Sequence, residues 1–156
     1  LIYLWARKEF ENLKLAEDAG VRVPKRIAVE KNVLLMEFIG MDGVPAPLLR
    51  EMPLKDPERT FQKIIENVTK LYRKAELVHG DLSEYNIMVW ENEPVIFDLS
   101  QAVKLDHPMA GAFLKRDLLN IASYFSRIGV SVPDVEVLYK RVVGEGAEQA
   151  QHINSS

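Results

Sequence analysis

The chain has 156 residues, 47% hydrophobic and 28% charged, with a net charge of −3, which suits one domain with a substantial core. That slight acidity supplies no direct nucleic-acid signature, the absence of cysteine excludes disulfides and thiolate metal sites, and three histidines leave little for a zinc site. No run reaches the roughly 18 apolar residues of a membrane span and no leader pattern is visible, so the expectation is a cytoplasmic location and no membrane partner.

In chain order, Ile2, Trp5, Ala6, Phe10, Leu13 and Ala16 recur at helical spacing, and Gly20 offers a C-terminal cap; an amphipathic helix over 2–19 is predicted. Residues 21–24 connect it to a hairpin, 26–30 and 32–38, with a tight turn near Lys31-Asn32. Residues 40–53 are rich in Gly and Pro and read as a loop. Asp56-Pro57 starts the next helix, with Asp as N-cap and Pro at the first position. Its apolar face is Phe61, Ile64, Ile65, Val68, Leu71 and Tyr72. Pro108 opens a third helix, with Phe113, Leu114, Leu118, Ile121, Ala122 and Phe125 on one face and Gly129 at its end. Pro133-Asp134 introduces a last helix through about residue 143. Residues 144–156 are small and polar and read as a flexible tail.

Between the second and third helices lies the stretch His79-Gly80-Asp81-Leu82-Ser83-Glu84-Tyr85-Asn86, followed by Asp98 across a short apolar hairpin. Ile87-Met88-Val89-Trp90 and Val95-Ile96-Phe97 are β-favouring runs, and Glu91-Asn92-Glu93 reads as their turn. A fold about Asn92 would pair residue 86 with residue 98 at the open end, about 5 Å apart. Two oxygen donors at that separation suit a hard divalent cation. Asp81, on the loop entering the first strand, reaches the same place and can orient a hydroxyl nucleophile. The set is that of phosphoryl transfer, with Asn86 and Asp98 holding magnesium against nucleotide phosphates. Singly, each residue has a plainer use: Asp81 can cap a turn and Asn86 can end a loop. The joint spacing is what carries the chemistry.

The order of elements, with LVHGDLSEYNIM (77–88), IFDLSQAV (96–103), DHPMAGAFLKRD (106–117), LLMEFIG (34–40) and VPAPLL (44–49), resembles the RIO family of atypical serine/threonine protein kinases, in its type-one branch. The resemblance covers roughly residues 1–143. It implies an α+β, protein-kinase-like fold: a partial N-lobe over 1–39 (helix C, hairpin and hinge) and a compact, mainly helical C-lobe over 40–143. It implies ATP and Mg2+ (or Mn2+), a protein substrate, and work on a pre-ribosomal small-subunit particle. By that resemblance Asp81 is the catalytic aspartate. Asn86 and Asp98 are the metal ligands, and Asp98 is also a transient phosphate acceptor that makes an ATPase cycle possible. Glu37, Phe38 and Ile39 match the hinge that reads the adenine edge, and Met36 guards the back of the pocket or is ordinary core. Glu9 matches the glutamate that pairs with the ATP-binding lysine. Ser83 and Glu84 lie beside the phosphates, His79 braces the loop, and Asp117 anchors it by hydrogen bonds.

The chain departs from a complete kinase pattern. It shows no Gly-rich phosphate loop and no N-lobe lysine: Gly40 and Gly43 follow the hinge, and Lys25 and Lys31 flank the wrong strands. The expectation is an incomplete catalytic domain that alone binds ATP weakly. Two alternatives stand beside it. One is a small-molecule kinase of the aminoglycoside or choline type, favoured by H-G-D but opposed by S-E-Y-N, S-Q-A-V and a short C-terminal half. The other is a non-catalytic pre-ribosome scaffold.

Overall fold

The computed structural model describes residues 2–144, with side chains from Ala6 onward. Helix α1 (Ile2–Asp18) is followed by a hairpin of β1 (Arg26–Glu30) and β2 (Val33–Met36). A second small hairpin, β3 (Gly40–Met41) with β4 (Val44–Pro45), leads into a 3-10 turn, Leu49–Glu51. Then come α2 (Pro57–Arg73), β5 (Leu77–Val78), the hairpin β6 (Ile87–Trp90) with β7 (Glu93–Ile96), β8 (Val103–Lys104), α3 (Ala110–Arg127) and α4 (Val135–Val143). The sheets are all two-stranded and antiparallel, and one of them pairs β5 with β8 across the intervening hairpin.

The helices follow their sequence signals. Asp56 caps α2 by accepting the Arg59 N–H at 3.1 Å, with Pro57 at the first turn. Asp134 caps α4 by accepting the Glu136 N–H at 3.0 Å, and Gly144 closes it in a left-handed conformation. Arg73 crosses from α2 to the far end of α4, donating to the carbonyls of Val142 (2.9 Å) and Arg141 (2.6 Å), which have no partner inside their own helix. The main core gathers Leu13 and Ala16 of α1, Phe61 and Ile64 of α2, Leu118 and Phe125 of α3, and Leu138 and Val142 of α4. Phe61 and Phe125 meet at 5.3 Å between ring centroids, tilted by 58°. A smaller cluster of Ile39, Ala46 and Val95 joins the segment after β2 to the β6–β7 hairpin.

Four local expectations are corrected. The loop read over 40–53 contains the β3–β4 hairpin and the 3-10 turn, because Asp42 (φ 52) and Gly43 (φ 78) form a tight two-residue turn. The β6–β7 hairpin does not fold about Asn92. Glu91 (φ 53) and Asn92 (φ 63) make a two-residue turn, Trp90 pairs with Glu93, and Ile87 pairs with Ile96. Glu93 is therefore strand rather than turn, and Asn86 stands opposite Phe97 rather than Asp98: the Phe97 N–H donates to the Asn86 carbonyl at 3.2 Å. The second strand of the first hairpin is shorter than 32–38, leaving residues 37–39 outside it. Helix α3 begins at Ala110, two residues past Pro108, after a turn in which His107 Nδ1 accepts the Met109 N–H at 3.0 Å. Apart from Gly144, the tail read over 144–156 lies outside the described residues.

Candidate active site

Strand β5 delivers His79 and Gly80 to the end of the sheet, and the loop 79–86 runs from there to β6. Gly80 sits at φ +85, and a Cβ there would come 3.0 Å from the Gln101 carbonyl oxygen, so the loop turns in a conformation that favours glycine and passes close to the segment after Asp98. His79 is buried and bridges the segments that carry Asp81 and Asp98. The Asp81 N–H donates to its Nδ1 at 3.2 Å, so the ring proton resides on Nε2, which donates to the Phe97 carbonyl at 2.9 Å. A ring held by both nitrogens is a brace, as the sequence reading has it.

Helix α3 grips the same loop. Asp117 is 1% exposed, and its two oxygens accept the Gly80 N–H at 2.9 Å and the Leu82 N–H at 3.0 Å. Burial raises its pKa, against the pull of those two amides and of nearby His79 and Arg116. Arg116 donates to the Gly80 carbonyl, and Asn120 donates to the Leu82 carbonyl at 3.2 Å. Farther along, Arg127 pairs with Glu84 at 3.2 Å. The Asn86 side chain staples the loop from inside: its Oδ1 accepts the Ser83 N–H at 2.8 Å and its Nδ2 donates to the Asp81 carbonyl. Ser83 Oγ accepts the Tyr85 N–H at 3.2 Å.

Asp81 and Asp98 are both exposed and line one cavity of about 340 Å³ with Gly80, Ser100, Gln101, Phe113 and Arg116. Asp98 has a left-handed backbone (φ 61), and its Oδ1 accepts the Ser100 hydroxyl at 2.9 Å. Glu9, half-buried on α1, stands beside Asp98. Burial raises its pKa, the Asp98 charge raises it further, and the nearby Leu99 N–H works the other way. Asn86 is buried and does not line the cavity.

Met36, the last residue of β2, and the three residues after it diverge in environment. Met36 packs on the main core and Ile39 is buried in the smaller cluster, while Phe38 is 58% exposed. The Glu37 side chain turns back toward its own hairpin. Burial opposes its charge, but the Lys25 N–H at 3.1 Å and the Arg22 guanidinium at 3.2 Å outweigh it and hold the carboxyl below its usual range. Its carboxylate is thus committed, and the segment offers backbone groups instead. The Glu37 N–H donates to the Lys25 carbonyl and the Ile39 carbonyl accepts from Ala46; the Glu37 carbonyl and the Ile39 N–H enter none of the backbone hydrogen bonds among the described residues.

Sequence reasoning missed Asn12, Arg116, Asn120 and Arg127. A signal was present for two of them. Asn12 is a lone amide on the apolar stripe of Ala6, Leu13 and Ala16, and Asn120 lies one turn after Asp117 on the same face of α3.

The family model described as "RIO domain" matches residues 1–138. Over 148 residues the chain is 45% identical to the RIO-type serine/threonine-protein kinase Rio1 of Haloferax volcanii, covering 95% of this chain and 50% of that protein. It is 45% identical over 145 residues to Rio1 of Methanocaldococcus jannaschii, covering 93% of this chain and 49% of the relative. The serine/threonine-protein kinase RIO1 of Saccharomyces cerevisiae is 38% identical over 154 residues. The chain spans about half the length of the first two relatives. Among solved structures, the Rio2 kinase–ADP/Mg2+–phosphoaspartate complex from Chaetomium thermophilum matches with a TM-score of 0.73 at 27% identity, covering 89% of this chain and 44% of that one. The family match runs through the elements that carry Glu9, Asp81, Asn86, Asp98 and Asp117, and the chain belongs to the RIO kinase family, in its type-one branch.

Proposed function

We propose that the protein is an ATP- and magnesium-dependent serine/threonine protein kinase. The observation that carries this is the pair Asp81 and Asp98, facing one cavity on segments that His79, Asn86 and Asp117 tie down. Asp81 accepts the proton of the substrate hydroxyl as its oxygen attacks the terminal phosphorus and ADP leaves. The Glu37 carbonyl and the Ile39 N–H read the adenine edge, with Met36 behind it. Glu9 stands beside Asp98, and two neighbouring carboxyl groups make a setting that attracts a cationic side chain or metal.

The donor set fits magnesium. Asp98 would supply a carboxylate from the cavity, and Asn86, buried behind it with its side chain bracing the loop, would supply an amide oxygen; such ions are held by one or two carboxylates with the rest of the shell from phosphate and water. Bound there, magnesium would neutralise charge on the phosphates. The Asn86 Oδ1 uses one of its two lone-pair directions on the Ser83 N–H.

Asp98 also suits a hydrolytic cycle. Its carboxylate oxygen attacks the terminal phosphorus, ADP departs, and water then attacks that phosphorus to release phosphate and restore the carboxylate. The Rio2 complex described as a phosphoaspartate supports this reading. Action in maturation of the small ribosomal subunit, in the cytoplasm, rests on the family relation alone.

Transfer from γ-labelled ATP with magnesium tests the assignment. Asp81→Asn is expected to lower turnover about 10²- to 10⁴-fold with nucleotide binding near normal. Unchanged turnover in Asp81→Asn, or no transfer and no hydrolysis in a longer chain that also carries a Gly-rich loop and an N-lobe lysine, would overturn it and leave a scaffold.

A further inference from the structure

Helix α1 reaches the residue next to Asp98. Asn12 is 4% exposed, and its Nδ2 donates to the Leu99 carbonyl at 3.0 Å, across 87 residues of sequence. One turn earlier, the Glu9 carboxyl lies near the Leu99 N–H, which pulls its pKa down against burial. The Ala102 N–H shares the same carbonyl at 3.2 Å. The clamped residue directly follows Asp98, whose φ of 61 lies in the left-handed region that a Cβ-bearing residue adopts at a cost. Asp98 is exposed and, apart from the Ser100 hydroxyl, its side chain accepts no hydrogen bond among the described residues. The backbone conformation, and not a side-chain lock, therefore aims its carboxylate.

We infer that Asn12 is a positioning residue, which fixes the Leu99 peptide and so sets from α1 how strongly Asp98 holds a divalent cation. This rests on the metal role proposed above for Asp98. The residue type fits the task. The position calls for a buried hydrogen donor close to two carboxylates. A lysine or arginine there would compete with the metal for Asp98, and an aspartate or glutamate would present no donor when ionised. A neutral amide donates without adding charge. The arrangement also gives α1 a route to the metal site that needs no contact with the nucleotide: a shift of α1 withdraws the Asn12 hold on Leu99.

The test is calorimetric titration of ADP, with magnesium and separately with a chelator, into the unmodified protein, Asn12→Leu and Asp98→Asn. Leucine matches asparagine in size and removes the donor. Asn12→Leu is expected to bind metal-free ADP within about twofold of the unmodified protein and to lose about tenfold of the tightening that magnesium brings. That is about 1.4 kcal/mol, the size of one net hydrogen bond. Asp98→Asn should lose the tightening altogether. Full tightening in Asn12→Leu overturns the inference, as does an equal loss of ADP affinity with and without magnesium, which would make Asn12 a packing residue only. Full tightening in Asp98→Asn removes the metal assignment and this inference with it. Should leucine prevent folding, Asn12→Ala is read by the same outcomes.

Discussion

Replacing Asp117 with Asn changes no volume and one chemical capacity. The carboxylate accepts two buried backbone N–H groups, from Gly80 and Leu82. The amide has one oxygen, so one N–H keeps a partner and the other meets an NH2 group. A hydrogen bond to a charged acceptor contributes about 1.5–3 kcal/mol, and an orphaned buried donor costs about 1–3 kcal/mol. Relief of the buried charge, whose cost is visible in the raised pKa, offsets part of this. The net loss is about 2–4 kcal/mol. For a chain of this size that lowers the midpoint of thermal unfolding by about 4–16 °C. Circular dichroism melts read it directly, and phosphate transfer should fall with it, since the same loop carries Asp81. The dependence on pH has a defined sign. A carboxyl with a raised folded pKa contributes most below its unfolded value of about 4, and that contribution is lost as pH rises through the folded value. Asn does not titrate, so the gap between the unmodified protein and Asp117→Asn should narrow from acid toward neutral pH. A melting point within about 1 °C of the unmodified protein would refute the anchoring role. A gap that widens with pH would show that the two amides and Arg116 outweigh burial.

Two further substitutions probe the elements around the site. Gly40→Ala would place a Cβ 2.1 Å from the Val44 carbonyl oxygen and 2.8 Å from the Phe38 ring; the β3–β4 hairpin must shift, and thermal melts should show a loss of about 1–3 kcal/mol. Changing Glu91-Asn92 to Asn-Gly suits a turn with two left-handed residues, φ 53 and 63. It should raise stability by about 0.5–1 kcal/mol, seen as a higher urea midpoint at unchanged slope.

The register of that turn shows where sequence reading stopped. Continuous runs of β-favouring apolar residues located both strands of the β6–β7 hairpin, but an error in placing its centre moves every cross-strand pair. The pairing of residue 86 with residue 98 followed from placing the centre at Asn92. The two-residue turn, which matches the twist of the strands, places Phe97 there instead. The Asn86 backbone then pairs with Phe97, and its side chain braces the loop. The hairpin at 40–45 was overlooked although Asp42-Gly43 is a strong turn signal, because its strands are two residues long and lack the alternation that reveals a strand.

Local chemistry decided the rest of what was legible. Asp56-Pro57 and Asp134 cap helices through contacts two or three residues away, and the apolar faces of α2 and α3 are written in their periodicity. The set of residues proposed for phosphoryl transfer is likewise compact, since Asp81 to Asn86 lies within one loop and Asp98 follows the next hairpin. The sequence by itself therefore located the helices and the loop and carried the resemblance to the family. The family resemblance already named His79 as the brace and Asp117 as the anchor of that loop; only the tertiary structure decided which partners they take and which residue of α1 reaches Leu99. The bonds from Asp117 to Gly80, from His79 to Phe97 and from Asn12 to Leu99 join residues 37, 18 and 87 positions apart. Such partners meet because burying the faces of α1 and α3 in one core brings them to the same end of the molecule, and no local pattern records that encounter.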